Sequence, residues 1–359
     1  VDPSIVSLAE LLNQAGYVTA RFGKWHIGGN NQGFDVNSAA GEIGITTNRT
    51  VEHQVTTNIK IQGGKEERFY DDTMVAERMT NAAIDFITQN KSKPFFLYLS
   101  HWEVHTPMAA CKDRIAYFSK KFSEQNITGL DPTYAAEIEQ IDISTGTIIR
   151  ALENHNISDN TIVIFTSDNG GVSNLTSNKP LRAGKGTFYE GGIRTPFCIR
   201  WPGKIQPGTI SDVPVSGVDF MPTFAKIAGI PMPDTQPVDG MNLLPVFNGD
   251  ITVSDRSIFF HFPLYLGGGG PDRVLPAWYG QENYWRAVPL SVIIKGNWKL
   301  IYYYEYDSYE LFNLSEDIPE SNDLSKTETE KANELLSELS DWVHGLNAPV
   351  PDIKNTTIE

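Results

Sequence analysis

The chain has 359 residues, of which 40% are hydrophobic and 11% aromatic, and this composition is typical of a folded globular protein rather than a disordered one. Its formal net charge is −15, which disfavours binding to nucleic acid. An anionic ligand would therefore need a local pocket of basic side chains. The sequence contains no apolar run long enough to cross a membrane, so we predict no membrane span.

The first two-thirds of the chain alternate between predicted helices and predicted strands. Apolar residues at helical spacing predict helices over residues 4–15, 72–89 and 133–155. Apolar runs of strand length predict strands over residues 18–25, 94–99, 161–166 and 197–201. A long loop is predicted from the end of the first strand to about residue 68. This alternation predicts an α/β fold with a mostly parallel central sheet sandwiched by helices.

The pattern changes after about residue 255. Short strands are predicted over residues 258–262, 291–295, 298–304 and 310–314, followed by a closing helix over 329–343. We therefore predict a large domain over residues 1–254 and a smaller antiparallel α+β subdomain over residues 255–359. The chain opens at the edge of a helix, so we also expect a preceding segment.

Cysteine usage gives no sign of a metal or redox motif. Cys111 and Cys198 lie far apart and lack CxxC spacing. Two buried free thiols are expected, with a single disulfide as the alternative.

The most informative segment is residues 16–26, which read GYVTARFGKWH. A β-like segment that ends here points Lys24 and His26 to the same side, because side chains two residues apart share a face. Two cationic groups placed in this way suit a small anionic ligand. For an isolated Lys-x-His pair, the alternative is a strand end whose histidine caps a loop.

Three further segments follow predicted strands or carry a lysine among glycines. Asp168 and Asn169 follow the strand 161–166 and offer two oxygen ligands of the kind that Ca²⁺ or Mg²⁺ prefers, although Asp-Asn-Gly is also typical of a turn. Lys185 lies in the glycine-rich segment LRAGKGTFYEGGIRTP of residues 181–196. His105 follows the strand 94–99 in the segment SHWEVHTP of residues 100–107. In parallel α/β sheets, ligands bind at the carboxyl ends of strands.

These four segments resemble, in order and spacing, the motifs of the formylglycine-dependent sulfatases of the alkaline phosphatase superfamily, and in particular bacterial polysaccharide sulfatases. The segment 16–26 matches the family pattern Gly-Tyr-x-Thr-x-x-x-Gly-Lys-x-His. The resemblance continues into the predicted C-terminal strands over residues 288–301 and 309–314, so it covers nearly the whole chain.

The resemblance implies a set of roles for these residues. Lys24, His105 and Lys185 would contact the sulfate group, and His26 would act on the formylglycine hydrate. Asp168 and Asn169 would be ligands of Ca²⁺, with Mg²⁺ as the alternative cation. In related enzymes the region around His261 helps to choose the substrate, so His261 is given a substrate-binding role, with a packed core histidine as the alternative. Glu190 and Arg194 are expected to form a buried structural pair.

One departure from the family pattern is important. The chain lacks the paired Asp-Asp and the Cys/Ser-x-Pro-x-Arg signature whose first residue becomes formylglycine. Formylglycine is therefore expected in a missing N-terminal segment, and the chain alone is expected to be inactive. The resemblance implies hydrolysis of sulfate esters on a carbohydrate such as a galactan or glycosaminoglycan, and action in the periplasm or outside the cell. Two alternatives stay open: a non-catalytic protein that binds sulfated glycans, and a phosphatase or phosphodiesterase of the same superfamily.

Overall fold

The computed structural model describes residues 4–25, 32–39, 44–47, 50–51, 58–62, 65–69, 75–106, 108–234, 236–250, 252, 254–267, 275–276 and 285–351. The α-helices are α1 Leu8–Gln14, α2 Val75–Asn90, α3 Lys112–Glu124, α4 Pro132–Asn154, α5 Glu190–Ile193, α6 Phe220–Ala228, α7 Leu244–Phe247 and α8 Thr329–Gly345. The strands of the first half are β1 Val18–Gly23, β2 Val36–Ala39, β3 Gly44–Thr47, β4 Thr50–Val51, β5 Asn58–Gln62, β6 Lys65–Phe69 and β7 Phe95–Ser100. The remaining strands are β8 Val163–Thr166, β9 Phe197–Arg200, β10 Ser257–Phe262, β11 Leu266–Gly267, β12 Trp285–Ala287, β13 Leu290–Lys295, β14 Trp298–Tyr303 and β15 Ser308–Asn313.

The chain divides into two compact units whose segments alternate along the sequence. The first unit comprises Val1–Ile162, Trp201–Pro207 and Ser216–Asn248, and the second comprises Val163–Arg200, Gly208–Val215 and Gly249–Glu359. These units are defined by the contacts within each of them, and they do not test the predicted domain boundary after residue 254, which stays a prediction.

The first unit is built around a five-stranded sheet with the order β4-β3-β2-β1-β7. Strand β1 pairs in parallel with β2 and with β7, whereas the pairs β2–β3 and β3–β4 are antiparallel. Helix α2 packs against this sheet through a cluster of buried side chains that includes Ala20, Phe22, Ala83 and Phe86. The predicted loop to residue 68 is wrong, because strands β2 to β6 occupy much of that segment.

Local sequence explains where two helices of the first unit begin. The Ser7 hydroxyl accepts a hydrogen bond from the backbone N–H of Glu10, whose carboxylate in turn accepts from the N–H of Ser7, so α1 starts with a capping box. Helix α4 starts with the Asp131 carboxylate accepting from the N–H of Thr133, and with Pro132 in the first turn.

The second unit contains a four-stranded antiparallel sheet with the order β10-β13-β14-β15. Helix α8 covers one face of this sheet, where Leu335 and Leu339 pack against Ile293, Leu300 and Leu311. This arrangement confirms the predicted antiparallel C-terminal part. Together with the parallel strands of the first unit, it confirms the predicted α/β fold class.

Two details differ from the sequence-based expectations. Strand β8 pairs antiparallel with β9, although both runs were expected in the parallel sheet. A short apolar run does not by itself specify the direction of its partner, which explains the difference. Cys111 and Cys198 are free but exposed, so their predicted burial is wrong. Cys111 precedes α3, a helix with no buried residue, and Cys198 is the exposed residue of β9.

Candidate functional site

In the first unit, the carboxyl ends of β1 and β7 bring two predicted site segments together. The register of the two parallel strands places Gly23 opposite Ser100. Just beyond it, the backbone N–H of Lys24 donates to the carbonyl oxygen of Ser100 at 2.7 Å, and the Ser100 hydroxyl donates back to the carbonyl oxygen of Lys24. The predicted gathering of these segments at strand ends is therefore observed within this unit. His26 lies outside the described residues.

The loop after β7 brings an aromatic and an imidazole side chain, Trp102 and His105, after this strand end. The ammonium group of Lys24 lies 5.7 Å from the ring centroid of Trp102, within the range of a cation–π contact. The backbone N–H of His105 donates to the carbonyl oxygen of Trp102 at 2.8 Å. The His105 side chain is exposed, and its Nδ1 donates to the carbonyl oxygen of Thr106 at 2.7 Å. In the neutral imidazole, Nε2 is then the acceptor, a position from which it can bind a proton.

In the second unit, backbone hydrogen bonds join the segment after β8 to the glycine-rich loop. The N–H of Lys185 donates to the carbonyl oxygen of Gly171 at 3.0 Å, and the N–H of Gly170 donates to the carbonyl oxygen of Gly192 at 2.9 Å. The backbone of Lys185 is thus hydrogen-bonded to Gly171, which lies three residues after Asp168. The structure therefore brings the two predicted site segments of this unit onto one framework.

Glycine is required where these two segments meet. A Cβ atom at Gly170 would lie 1.7 Å from the carbonyl oxygen of Gly191, and one at Gly191 would lie 2.2 Å from that of Ala183. Both distances are far below van der Waals contact. The close approach of the two backbones explains why the segments are rich in glycine.

The side chain of Asn178 fixes the same junction. Its Oδ1 accepts from the N–H of Gly171 at 3.0 Å, and its Nδ2 donates to the carbonyl oxygen of Gly171 at 2.8 Å. One side-chain amide therefore pairs with both the N–H and the carbonyl oxygen of Gly171. The sequence offered no signal for this role, since Asn178 lies in a polar turn without a motif.

A buried ionic network also supports the glycine-rich loop of residues 181–196. Lys299 on β14 is fully buried, and its ammonium group lies 3.0 Å from Glu190 Oε1 and 2.7 Å from Glu320 Oε1. The second oxygen of Glu320 accepts from the backbone N–H of Glu190 at 2.6 Å. Arg194 approaches Glu190 at 3.3 Å, but its side chain is 56% exposed, so the expected buried Glu190–Arg194 pair is only half buried.

A third buried carboxylate, Glu310 on β15, extends this network. Its Oε2 accepts hydrogen bonds from the hydroxyl groups of Tyr189 and Tyr303 at 2.6 and 2.7 Å. Arg182 lies 3.7 Å from Glu310 Oε1 and stacks over the Tyr189 ring at 3.8 Å. Burial raises the pKa of both tyrosines well above the ordinary value, so both keep their protons and act as donors. Burial also raises the pKa of Glu310, against the opposing effect of these hydrogen bonds and of Arg182.

His261 lies on β10 and both of its ring nitrogens have partners. Nδ1 is 2.8 Å from the Ser291 hydroxyl, and Nε2 donates to the carbonyl oxygen of Pro349 at 2.8 Å. These contacts are those of a packed histidine, the alternative given above. Its role in substrate binding stays a prediction.

The segment after β8 fits part of a cation site. Asp168 is exposed, and none of the hydrogen bonds of the described residues involves its carboxylate. Asn169 donates its Nδ2 to the carbonyl oxygen of Gly170, which leaves its Oδ1 as a further oxygen ligand. Ca²⁺ takes about six to eight oxygen ligands. Over the described ranges no three His, Cys, Asp or Glu side chains form a metal-binding group, so these two residues fit a cation only as part of a larger ligand set.

The sequence profile described as Sulfatase matches residues 2–230, which is more than half of the chain. The chain belongs to the sulfatase family. A sulfatase of Formosa agariphila is 34% identical over 297 residues, which are 77% of this chain and 51% of that protein. Human N-acetylgalactosamine-6-sulfatase is 32% identical over 297 residues, which are 77% of this chain and 53% of that protein.

A solved structure gives the same result for the fold of this sulfatase chain. The crystal structure of Ps i-CgsB in complex with k-i-k-neocarrahexaose has a TM-score of 0.70 and 28% identity, and the match covers 93% of this chain and 73% of that chain. The chain spans about half the length of the curated relatives it matches. Among the described residues of the sulfatase chain, none of the helices has the length and apolar character needed to cross a membrane.

Several residues of the supporting network escaped sequence reasoning. Lys299 and Glu310 each interrupt an apolar strand, and a charged residue within such a run was an available signal for a buried ion pair. Glu320 carried no comparable signal, because it lies in an acidic turn that is typical of an exposed surface.

Proposed function

We propose that the protein containing this chain hydrolyses sulfate esters of a carbohydrate, of the galactan or glycosaminoglycan type. The observation that carries the proposal is the arrangement of these segments within each unit. In the first unit, Lys24 follows β1 and His105 lies in the loop after the adjoining strand β7; in the second, the backbone of Lys185 bonds to Gly171, just after Asp168 and Asn169. The names of relatives support the carbohydrate class, since they include N-acetylgalactosamine-6-sulfatase and a neocarrahexaose complex.

Each residue has a stated task in this proposal. In the first unit, the Lys24 ammonium group and His105 bind the oxygens of an anionic sulfate, and in the second unit Lys185 does so. Such contacts favour the transition state when they strengthen as charge develops on the oxygens. The chemistry also leaves two candidates, His105 and Lys185, for protonation of the leaving alcohol. His26 is assigned to the nucleophile by resemblance alone.

A metal cation and a formylglycine nucleophile complete the proposal. Asp168 and Asn169 would hold Ca²⁺, or Mg²⁺ as the alternative, and a bound cation would supply Lewis-acid polarisation. Formylglycine from a preceding segment would supply the nucleophile. Action in the periplasm or outside the cell is part of the same proposal.

The test is sulfate release by the full-length protein from a panel of sulfated oligosaccharides, measured by ion chromatography. Lys24→Met and Lys185→Met should each lower kcat/KM by about a hundredfold or more, since each removes a preorganised charge. Lys93→Met and Lys326→Met are matched controls, because these lysines are exposed and lie one in each unit. Turnover of phosphate esters in preference to sulfate esters would support the phosphatase alternative. Binding without hydrolysis would support the non-catalytic alternative.

A further inference from the structure

Within the second unit, the antiparallel strand pair β11–β12 reaches the peptide that carries Lys185. Arg286 lies on β12, and its Nη1 donates a hydrogen bond to the carbonyl oxygen of Lys185 at 3.4 Å. The N–H of Lys185 donates to the carbonyl oxygen of Gly171 at 3.0 Å. Both backbone polar groups of Lys185 are therefore bound, one by the segment after β8 and the other by a side chain 101 residues further along the chain.

The residue after Lys185 lies directly against the same strand pair. A Cβ atom at Gly186 would lie 3.0 Å from Leu266 Cδ2 and 3.1 Å from Arg286 Cδ. Both distances are shorter than ordinary van der Waals contact, so there is no room for a side chain between the loop and the strands. Arg286 thus holds the loop in two ways: its guanidinium bonds to Lys185, and its aliphatic stem packs on Gly186.

Lys185 also lies within a closed turn, residues 184–187. The N–H and the hydroxyl of Thr187 both donate to the carbonyl oxygen of Gly184, at 3.1 and 2.9 Å. Thr187 is buried, so water does not compete for these bonds. Because the turn is closed on itself, the place of the Lys185 side chain depends on the contacts that dock the turn, and Arg286 makes one of them.

The strand that carries Arg286 is anchored in the core of the second unit. Trp285 packs against a buried cluster that includes Tyr189 and Val288, and Ala287 and Val288 are fully buried. Arg286 is therefore flanked by packed residues on both sides along the chain. A group that orients a binding residue is effective only when its own support is rigid, and this strand provides that support.

We propose that Arg286 is a positioning residue that holds Lys185 for its contact with the anionic group of the substrate. The guanidinium fixes the carbonyl oxygen of Lys185, so the ammonium group extends from a backbone that is held at both its N–H and its C=O. This inference rests on the proposed function, which gives Lys185 the contact with sulfate. The effect of Arg286 passes through Lys185 and needs no contact between Arg286 and the substrate.

A double-mutant cycle on sulfate release by the full-length protein tests whether Arg286 acts through Lys185. Arg286→Met keeps an aliphatic stem and loses the donor, so kcat/KM should fall by about three- to tenfold in the wild-type background. In the Lys185→Met background the same change should cost less than about twofold, because the ammonium group that Arg286 positions is gone. Equal losses in the two backgrounds would overturn the inference, since direct contact with substrate or general destabilisation would act in both.

The salt dependence of the loss separates positioning from the charge of Arg286. The ratio of kcat/KM between the wild-type protein and Arg286→Met should be the same at about 0.1 M and about 1 M salt, because salt screens long-range fields and leaves a hydrogen bond within the loop in place. A ratio that falls toward one at the higher salt concentration would show that Arg286 acts through its field, and would overturn the positioning role.

Hydrogen exchange of the Lys185 and Thr187 amides tests the same contact without any substrate. Exchange should be faster in Arg286→Met and unchanged in Lys185→Met, which keeps the backbone contacts. Lys326→Met, at an exposed lysine of the same unit, is the control for both assays. If the full-length protein releases no sulfate from any oligosaccharide, the proposed function fails and exchange alone decides this inference. Unchanged exchange in Arg286→Met would then overturn it.

Discussion

Each unit buries a cationic side chain, and the two cations have different surroundings. In the second unit, the ammonium group of Lys299 lies between the carboxylates of Glu190 and Glu320, so opposite charges face each other inside the protein. In the first unit, Arg21 is 2% exposed, and its Nε and Nη1 have no hydrogen-bond partner among the described residues. Its guanidinium instead stacks on Trp25 at 4.1 Å, and burial lowers its pKa. The buried charge of Lys299 is therefore compensated by opposite charges, whereas the buried Nε and Nη1 of Arg21 bear the cost of desolvation without a hydrogen bond among the described residues.

The two units also differ in the contacts that hold their candidate site residues. The loop that carries Lys185 is fixed by groups more than a hundred residues away, on β14 and in the turn at Glu320. The loop that carries His105 is held by hydrogen bonds at the strand end and by the contact of His101 with Ser144 on α4. Substitutions that destabilise the C-terminal sheet should therefore also loosen the loop that carries Lys185.

The largest effect is expected from removal of the buried cation. Lys299→Met leaves two buried carboxylates without a counter-charge, and the free energy of unfolding should fall by about 3–5 kcal/mol. Urea unfolding measures the loss, and hydrogen exchange of residues 182–194 should rise with it. Changing Glu190 and Glu320 to glutamine in the same background should recover part of the loss, because the uncompensated charges are then gone.

Lys295→Met is the matched control for this change. Lys295 lies on the neighbouring strand β13 and pairs with Glu338 and Glu334 near the surface, so its loss should cost about 0–1 kcal/mol. If Lys299→Met is no more destabilising than Lys295→Met, the buried network is not the support described above.

The next effect is steric. Gly170→Ala places a Cβ 1.7 Å from the carbonyl oxygen of Gly191, so the two backbones must separate. We expect a loss of about 1–3 kcal/mol in the free energy of unfolding and weaker protection of the Lys185 N–H from exchange. Gly345→Ala, at the end of α8, meets no atom within 4 Å and should be neutral or slightly stabilising. A neutral Gly170→Ala would show that the two segments are not in close contact.

A smaller effect is expected in the pH dependence of stability. Burial raises the folded-state pKa of Glu310 and of Glu320, so the folded protein binds these protons more tightly than the unfolded chain does. Their contribution is fully present below the unfolded pKa of about 4.3 and is lost as pH rises through the folded values. Glu310→Gln removes one titrating group, so the decrease in unfolding free energy from about pH 4.3 upward should be shallower than in the wild-type protein.

Urea unfolding at a series of pH values measures this slope. Glu316→Gln is the control, since Glu316 is an exposed glutamate of the same unit. A slope that is unchanged in Glu310→Gln, or steeper, would contradict the assigned direction of the shift.

Much of the fold could be predicted from the sequence, because its elements have local signals. Helix α4 and strand β7 have the apolar periodicity and length of their class, and they lie within one or two residues of the predicted bounds. The antiparallel C-terminal sheet was predicted for the same reason. The partner of β8 was not, because strand pairing depends on the whole fold and a four-residue apolar run carries no direction.

The candidate site could be predicted only in part. Lys24, Lys185 and Asp168 stand in motifs, so their positions along the chain were available. Lys299 and Glu320 act through contacts with residues more than a hundred positions away, and sequence patterns report local spacing only. Likewise, His101 in the loop after β7 contacts the hydroxyl of Ser144 on α4, which lies about forty residues further along the chain.

The smallest effect is expected at the two cysteines, which lie one in each unit and are exposed. Both thiols should react with a disulfide reagent in the native protein, giving two modified thiols per chain without denaturant. Cys198→Ser should change the free energy of unfolding by less than about 0.5 kcal/mol. Cys111→Ser should be neutral or stabilising by a few tenths, because serine can accept a hydrogen bond at the start of α3, where Cys111 makes no side-chain cap. A large loss at either position would contradict the exposed placement of that thiol.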